Sequence, residues 1–358
     1  MTIPLTGRPA AEIVRLVAPH VDRPYRTRQV ALWVLQRNAA SFDEMTDLPR
    51  DLRARLAERF DLAEPRVVEV QTSTDGSRKY LLELGDGTTI ESVAMPGGRK
   101  LTLCLSTQSG CAVGCTFCVT GTLGAGRNLL PWEIAGQYRL MVRHLDTPPE
   151  RVNIVFMGMG EPLLNVDNLG PALETLFETV SPKRITVSTS GILPGIRWLA
   201  GLPRRPKLAV SLNAPDQERR ERIMPITRRY PLAELMEALR AFPLERGRRI
   251  TFEYVLIGGF NDRVEDAAAT VRLLRGLPAK VNVIPLNEDP VHLPGLRRPD
   301  EDTVDRFAER IRRAGLVVTV RRSKGSDVAA ACGQLKRRDQ AGSNARDHCL
   351  PARSPSRR

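Results

Sequence analysis

The chain has 358 residues, and 42% of them are hydrophobic, which is enough for one large α/β domain or several smaller ones. It carries 54 Lys and Arg against 41 Asp and Glu, a net charge of +13 that favours a polyanionic partner. This composition excludes a largely disordered chain, a collagen-like repeat and a disulfide scaffold. Neither an export signal nor a run of about 18 apolar residues is visible, so we expect a cytoplasmic protein with no membrane contact.

The first third of the chain changes from a helical to an extended pattern. Apolar residues spaced three or four apart predict helices over 10–17, 26–37 and 50–60, so residues 1–62 are predicted to form a small helical accessory domain. Residues 66–96 alternate instead and predict strands over 67–71, 80–84 and 88–95, with turns between them. We interpret 66–96 as a short antiparallel β extension that leads into the main domain.

From residue 97 to residue 335, strands and helices alternate. Strands are predicted over 101–106, 153–157, 185–188, 208–212, 250–256 and 281–285. The helices predicted between and after them cover 131–145, 169–179, 232–241, 263–274 and 302–314. About six β-then-α units indicate a parallel sheet, as a partial barrel or a doubly wound sheet, and either would bind ligands at the carboxyl ends of its strands. Residues 336–358, with seven basic and two acidic residues, are expected to be a disordered basic tail in which Cys349 has no role.

Three cysteines lie close together in the loop after the first strand of the main domain. Cys111, Cys115 and Cys118 follow a C-x3-C-x2-C spacing, which suits one soft metal centre. A structural zinc site needs a fourth ligand, usually from a second cysteine pair, and the sequence has no second C-x2-C. A 4Fe-4S cluster held by three thiolates keeps one iron open, as is required to bind S-adenosylmethionine (SAM) by its amino and carboxylate groups. We favour the iron–sulfur cluster, with zinc as the alternative.

Polar residues follow several other predicted strands. The second strand is followed by Gly160 and Glu161, within the run 156–165 (FMGMGEPLLN). Ser188 ends the third strand, the run Ser211, Leu212 and Asn213 closes the fourth, and Asn287 follows the sixth. Each alone is more commonly a cap or turn residue. Together, at the strand ends, they predict a ligand site.

The cysteine spacing and the glycine–glutamate run resemble those of the radical SAM superfamily. With the runs 321–327 (RRSKGSD) and 330–335 (AACGQL), the similarity extends from about residue 8 to residue 335 and is closest to the RlmN-type adenosine C2-methyltransferases. This resemblance implies a partial (βα)6 TIM-like radical SAM barrel. It also implies that Gly160, Glu161, Ser188, Ser211–Asn213 and Asn287 bind SAM. Asn213 stands where many relatives carry histidine, and its amide likewise offers both a donor and an acceptor.

The resemblance implies a two-stage reaction, because C2 of adenine is too electron-poor to attack a methyl sulfonium. One SAM methylates Cys332, and a 5'-deoxyadenosyl radical from a second SAM then removes hydrogen from the methylcysteine, which adds to C2. Glu91 corresponds to the family's proton acceptor, and Cys104 to the thiol that forms a disulfide with Cys332 and releases the product. We expect the neighbouring residues Arg321, Arg322 and Lys324 to lower the pKa of the Cys332 thiol.

The implied partners are 23S rRNA, tRNA and an external flavodoxin-like electron donor, and we expect a monomer. Tyr25, Arg26, Arg28 and Gln29 of the helical domain are our candidates for holding RNA through phosphate contacts. Three alternatives stay open. The first is the C8-methylating branch of the same family, which tends to have a small residue where this chain has Pro162. The others are a radical enzyme acting on a small molecule or a protein, and a metal- and RNA-binding module without catalysis.

Overall fold

The computed structural model describes residues 2–336; the predicted tail beyond them, with Cys349, lies outside the described residues. The N-terminal part contains β1 (Ile3–Pro4), α1 (Ala10–Val17), α2 (Tyr25–Leu35), α3 (Arg50–Arg59) and β2 (Phe60–Asp61). An antiparallel meander follows, made of β3 (Arg66–Thr72), β4 (Arg78–Glu83), β5 (Thr89–Gly97) and β6 (Lys100–Cys104).

Strands and helices alternate after β6. They are α4 (Val119–Thr122), α5 (Pro131–His144), β7 (Val152–Phe156), α6 (Val166–Leu176), β8 (Ile185–Thr189), α7 (Leu193–Gly201), β9 (Lys207–Ser211), α8 (Gln217–Ile223), α9 (Leu232–Arg240), β10 (Ile250–Leu256), α10 (Val264–Leu273), β11 (Ala279–Pro285), α11 (Glu301–Arg313) and β12 (Val317–Val320). No helix within residues 2–336 is long and apolar enough to cross a membrane.

One ten-stranded sheet organises the main domain. Its strands follow chain order from β3 to β12, antiparallel as far as β6 and parallel from β6 onward. The six predicted β-then-α units are confirmed, and β12 adds a seventh parallel strand that the sequence pattern does not predict. Among the described residues the sheet does not close on itself, since β3 and β12 form its two edges. All parallel strands therefore point their carboxyl ends toward the same side of the open sheet.

The N-terminal helices have an apolar core of their own. It is formed by side chains on one face of each helix, such as Ile13, Val30 and Leu52, each fully buried. Its spacing follows the three-to-four periodicity on which the helices were predicted. This small core is separate from the large one, which lies between the sheet and the helices α5–α11.

The N-terminal helices are fixed to the main domain through α5. Arg139, buried on α5, donates to the Ala39 carbonyl at 2.7 Å and pairs with Glu64 at 2.9 Å. At Gly7, where φ is +78°, an added Cβ would lie 2.5 Å from the backbone of Pro131, the first residue of α5. This close approach requires glycine. The two parts are therefore held together by specific buried contacts.

Candidate active site

A cavity with about 970 Å³ of empty space opens at the carboxyl ends of the parallel strands. We call it the main cavity. Its walls come from the loops that follow β6, β7 and β8, from the ends of β9, β10 and β11, and from the segment after β12. The lining residues include Cys111, Cys115, Cys118, Gly160, Glu161, Ser188, Ser190, Ser211, Met224, Glu253, Asn287 and Cys332.

All three cysteines of the C-x3-C-x2-C run line the main cavity as free thiols. Burial raises the pKa of Cys111 to about 12 and also raises the pKa of Cys115 and Cys118, and mutual repulsion adds to the rise at Cys111 and Cys115. Within residues 2–336 no three His, Cys, Asp or Glu side chains already converge tightly enough to hold a metal ion. The donor set nevertheless fits a soft metal centre, because three thiols from one short loop face one cavity.

Glu161 lies opposite the cysteine loop, in the turn after β7. Its carboxylate is buried and accepts hydrogen bonds from the backbone N–H of Leu163 at 3.0 Å and from the N–H and hydroxyl of Ser190 at 2.6 and 2.7 Å. Burial raises the pKa of Glu161, and the contacts with Ser190 counteract that rise. A carboxylate has room for about four donors, so a ligand ammonium group can add to these three. Ser190 belongs to the polar run that begins at Ser188, and it is the member of that run that contacts Glu161.

Gly160, which precedes Glu161, is required by a close approach. Its φ is +98°, and an added Cβ would lie 2.6 Å from the side chain of Gln108 in the cysteine loop. The side-chain amide oxygen of Gln108 in turn accepts a hydrogen bond from the backbone N–H of Glu161 at 2.7 Å. The glycine thus lets the loop after β7 pack directly against the cysteine loop.

The predicted residues at the end of β9 separate into two groups. Ser211 lines the main cavity, as does Ser188 on β8, whereas the side chains of Leu212 and Asn213 are buried behind the wall. Asn213, at a φ of +59°, accepts from the backbone N–H of Val255 at 2.8 Å and donates to the sulfur of Met224 at 3.2 Å. The Asn213 side chain thus holds β10 and the following helical turn in place, and its assignment to SAM stays a prediction.

Beneath these loops lies a buried arginine that sequence reasoning missed. Arg220 on α8 is 1% exposed and donates to the carbonyls of Ser190 at 2.6 Å, Ser211 at 2.9 Å and Leu212 at 3.1 Å, and to the hydroxyl of Thr227 at 2.5 Å. Burial lowers its pKa to about 10, so it stays charged at neutral pH. One guanidinium therefore ties together the ends of β8 and β9 on the side of the cavity that Glu161 occupies.

Cys332 and Cys104 line a second, smaller cavity next to the main one. This thiol cavity is also bounded by Met157, Arg321 and Asn287, and Cys332 and Asn287 belong to both cavities. Cys104, the last residue of β6, is buried, whereas Cys332 is exposed, and both are free thiols. The Asn287 amide donates to the Cys332 carbonyl at 2.9 Å and accepts from Ser323, so Asn287 fixes the loop that carries Cys332.

The expected lowering of the Cys332 pKa is wrong. Although its thiol is accessible from the cavity, the protein crowded around it raises its pKa to about 11, and only Arg321 counteracts that rise. The Lys324 ammonium group donates to the Pro96 carbonyl, and Arg322 extends toward Glu301 at 3.7 Å. Burial raises the pKa of Cys104 to about 12 in the same way.

Glu91 lies on β5, behind the segment that carries Cys332. Its carboxylate pairs with Lys79 on β4 at 3.1 Å and accepts from the backbone N–H of Lys336 at 2.8 Å. Both side chains of the pair are buried, and burial raises the pKa of Glu91. Glu91 does not line the main or the thiol cavity as the structure describes them. The segment 332–336 separates it from the main cavity, with Leu335 on the cavity side.

Comparisons with known proteins agree with this arrangement. Residues 105–274 match the model of the radical SAM superfamily, and residues 5–62 match that of the ribosomal RNA large subunit methyltransferase N-terminal domain. A dual-specificity RNA methyltransferase RlmN from Anaeromyxobacter dehalogenans is 48% identical over 92% of this chain and 91% of its own length. The RlmN of Geobacter sulfurreducens is 46% identical over 93% and 92%. A radical SAM methyltransferase from Sphaerobacter thermophilus superimposes with a TM-score of 0.88, at 42% identity, over 93% of this chain and 99% of its own.

The open α/β sheet, with a three-cysteine loop and a glycine–glutamate turn at its carboxyl edge, therefore defines a radical SAM enzyme. The chain belongs to the RlmN family of dual-specificity RNA methyltransferases. Membership of the radical SAM superfamily implies a 4Fe-4S cluster and SAM.

Proposed function

We propose that the enzyme methylates C2 of an adenosine in 23S rRNA and in tRNA through a methylcysteine at Cys332. The observation that supports this most directly is the position of Cys332 between two cavities. It lines the main cavity together with the cysteine loop and Glu161, and it lines the thiol cavity together with Cys104. A methyl carrier that must meet SAM, then substrate, then a second thiol needs this position.

Cys111, Cys115 and Cys118 would hold the 4Fe-4S cluster, and Glu161 would accept a hydrogen bond from the amino group of SAM. Bound there, the cluster supplies the electron that cleaves SAM reductively. Ser188, Ser211, Leu212, Asn213, Asn287 and Gly160 complete the proposed SAM site: Ser188, Ser211, Asn287 and Gly160 line the cavity, and Leu212 and Asn213 would act from behind its wall. An external, flavodoxin-like donor would deliver the electron.

Three residues of the chain would carry the methyl transfer. Cys332 would take the methyl group and, after a hydrogen atom is removed from it, bond to C2, so that the substrate is covalently attached; the radical adduct would then give up one electron, which the cluster would take back. Glu91 accepts a proton from the adduct; to do so it must give up its contact with Lys336, and its raised pKa makes it a better base. The Cys104 thiolate would then attack the Cys332 sulfur, so that an S–S bond forms, the bond between that sulfur and the methylene carbon breaks, and the released carbon takes up a proton to become the methyl group of the product. The shared thiol cavity supports this last pairing.

RNA binding would fall to the N-terminal helical domain, residues 1–62, with the β extension over 66–96 joining it to the radical SAM core over 97–335. Tyr25 and Arg28 at the start of α2 are exposed, while Arg26 is paired with Asp22 at 2.5 Å and Gln29 is half-buried. We expect Arg28→Gln to weaken RNA binding for all sequences and to reduce its salt dependence, measured by titration at several salt concentrations. In this proposal the enzyme works in the cytoplasm as a monomer.

The function is tested by anaerobic reconstitution with iron and sulfide. Reconstituted enzyme is given SAM, a reductant and either an rRNA fragment or a tRNA, and digested RNA is analysed by mass spectrometry with authentic 2- and 8-methyladenosine as standards. The proposal predicts three-cysteine ligation, an iron–sulfur absorption band and 2-methyladenosine. Formation of 8-methyladenosine would move the enzyme to the C8-methylating branch. Zinc retention without any methylated product would instead support the non-catalytic metal- and RNA-binding alternative.

A further inference from the structure

A glutamate in the middle of β10 has a carboxylate oxygen that no donor in the described part of the chain reaches. Glu253 is 5% exposed, and its Oε1 accepts from the Asn282 amide at 2.9 Å. Its Oε2 is buried and has no hydrogen-bond partner among the described residues. Glu253 lies in register with Ser211 on β9 and with Asn282 on β11, and it lines the main cavity. A buried carboxylate oxygen without a donor is costly, so its position in a cavity wall points to a ligand that supplies one.

A cation that has no carboxylate partner among the residues that the structure describes lies close to this glutamate. Arg321, just after β12, directs its guanidinium only toward the sulfurs of Met157 at 3.6 Å and Met95 at 3.9 Å within residues 2–336. Arg321 and Glu253 both line a third cavity on the inner face of the sheet, and no ion pair joins them in the part of the chain that the structure describes. The Glu253 carboxylate and the Arg321 guanidinium attract each other across the space between them. Most of the five donors of Arg321 are therefore available to a ligand.

We propose that Glu253 and Arg321 bind the Watson–Crick edge of the target adenine, with Glu253 accepting from the N6 amine and Arg321 donating to N1. This proposal rests on the function proposed above and adds how the substrate base is recognised. Adenine presents a donor, the N6 amine, next to an acceptor, N1, on that edge. The third cavity offers the matching pair, the Glu253 carboxylate as acceptor and the Arg321 guanidinium as donor. Met157 borders all three cavities and offers an apolar surface to the base.

The same pairing determines which carbon of the base meets Cys332. N1 is bonded to C2, and Arg321 lines the thiol cavity together with Cys332 and Cys104. An adenine held by Arg321 at N1 therefore presents C2 toward the two cysteines and turns C8 away from them. Guanine presents a carbonyl to Glu253 and an N–H to Arg321, so both contacts would become repulsive.

The test compares two RNA substrates that differ only at the target base, which is adenosine in one and purine riboside, without the N6 amine, in the other. Each is given to reconstituted wild-type enzyme and to the E253Q variant. Glutamine keeps the contact with Asn282 and places an NH2 group where Oε2 was, so it removes the acceptor. Thr251→Val is the matched control, because Thr251 is on the same strand and lines only the inner-face cavity.

The proposal predicts that wild-type enzyme and T251V lose roughly 10- to 100-fold in kcat/KM when the amine is removed, as expected for a hydrogen bond to a charged group. In E253Q the same change of substrate should cost less than about threefold, because the acceptor is already gone. An equal loss in E253Q and wild type overturns the proposal. So does a wild-type enzyme that methylates both substrates equally, a result that needs no variant.

A second readout separates the RNA adenine from the adenine of SAM. Methylation of Cys332 by SAM without RNA, followed by mass spectrometry of the intact protein, should reach half of its maximal rate at the same SAM concentration in E253Q as in wild type. Its maximal rate should rise, because the Glu253 charge contributes to the raised pKa of Cys332. If E253Q needs a higher SAM concentration than wild type for this half-reaction, Glu253 contacts SAM and the proposal is overturned. If wild-type enzyme methylates neither RNA, the proposed function fails together with this inference. If wild type and E253Q are both active and lose equally when the amine is removed, only this inference fails.

Discussion

Replacing Arg220 with methionine should destabilise the fold and disturb the SAM side of the site together. The guanidinium donates to the carbonyls of Ser190, Ser211 and Leu212. Within residues 2–336 only the Leu212 carbonyl has a second donor outside the strand ladder, the N–H of Ala214. Two carbonyls left without this donor cost about 1–3 kcal/mol each. The variant also avoids burying a charge, which offsets part of that cost. We expect a net loss of about 2–4 kcal/mol in the free energy of unfolding.

The assay is urea unfolding followed by circular dichroism, with SAM binding measured on the reconstituted protein. Arg222→Met is the matched control, since Arg222 is exposed on the same helix and stacks on the Phe260 ring at 5.1 Å. It should lose no more than about 1 kcal/mol and bind SAM normally. If R220M and R222M unfold at the same urea concentration and bind SAM equally well, the reasoning about Arg220 is refuted.

Three further predictions follow from particular contacts. Gly160→Ala should weaken SAM binding and lower the free energy of unfolding by at least about 1–3 kcal/mol, because the added Cβ would clash with Gln108. Gly87 has a similar φ but open space around it, so Gly87→Ala should lower stability less and leave SAM binding unchanged. Thermal unfolding and SAM titration measure both effects. Lys79→Met should lower the free energy of unfolding, measured with urea, by about 3–5 kcal/mol, because it leaves the buried Glu91 carboxylate without its cation. The double variant K79M/E91Q should recover most of this loss. A double variant as unstable as K79M would contradict the prediction. Burial raises the pKa of Glu253 above its ordinary value, so the fold loses stability as the pH rises from the ordinary glutamate pKa to the raised one. E253Q should therefore be more stable than wild type at alkaline pH, and unfolding measured at several pH values should show this difference shrinking on acidification. A stability difference that does not change with pH would contradict the prediction.

Much of the fold could be predicted from periodicity, because apolar spacing follows the face that each element buries. Other elements could not be predicted. Helix α7 has a proline and a glycine in its first turn, α8 is short and mostly charged, and the edge strand β12 has only four residues. Their positions depend on the elements they pack against, which a local pattern does not contain.

The candidate site shows the same division. Motif spacing pointed to Glu161 and to the cysteine loop, and the structure brings them to one cavity. Arg220 could not be found this way, because in an arginine-rich helix it resembles its exposed neighbours and only its through-space partners distinguish it. Glu253 did leave a signal, since a charged residue inside the apolar strand ITFEYVL is unusual. The pKa of Cys332 was mispredicted because nearby basic residues were counted while the crowding of protein around the thiol was not.

The central claim, transfer through a methylcysteine, is tested most directly with SAM whose methyl group is fully deuterated. Reconstituted enzyme is incubated anaerobically with this SAM, a reductant and an rRNA fragment, and the methyladenosine and 5'-deoxyadenosine are analysed by mass spectrometry. The account predicts a methyl group that has lost one deuterium, with that deuterium recovered in 5'-deoxyadenosine. A methyl group that arrives with all of its deuterium would show polar transfer and contradict the role proposed for Cys332.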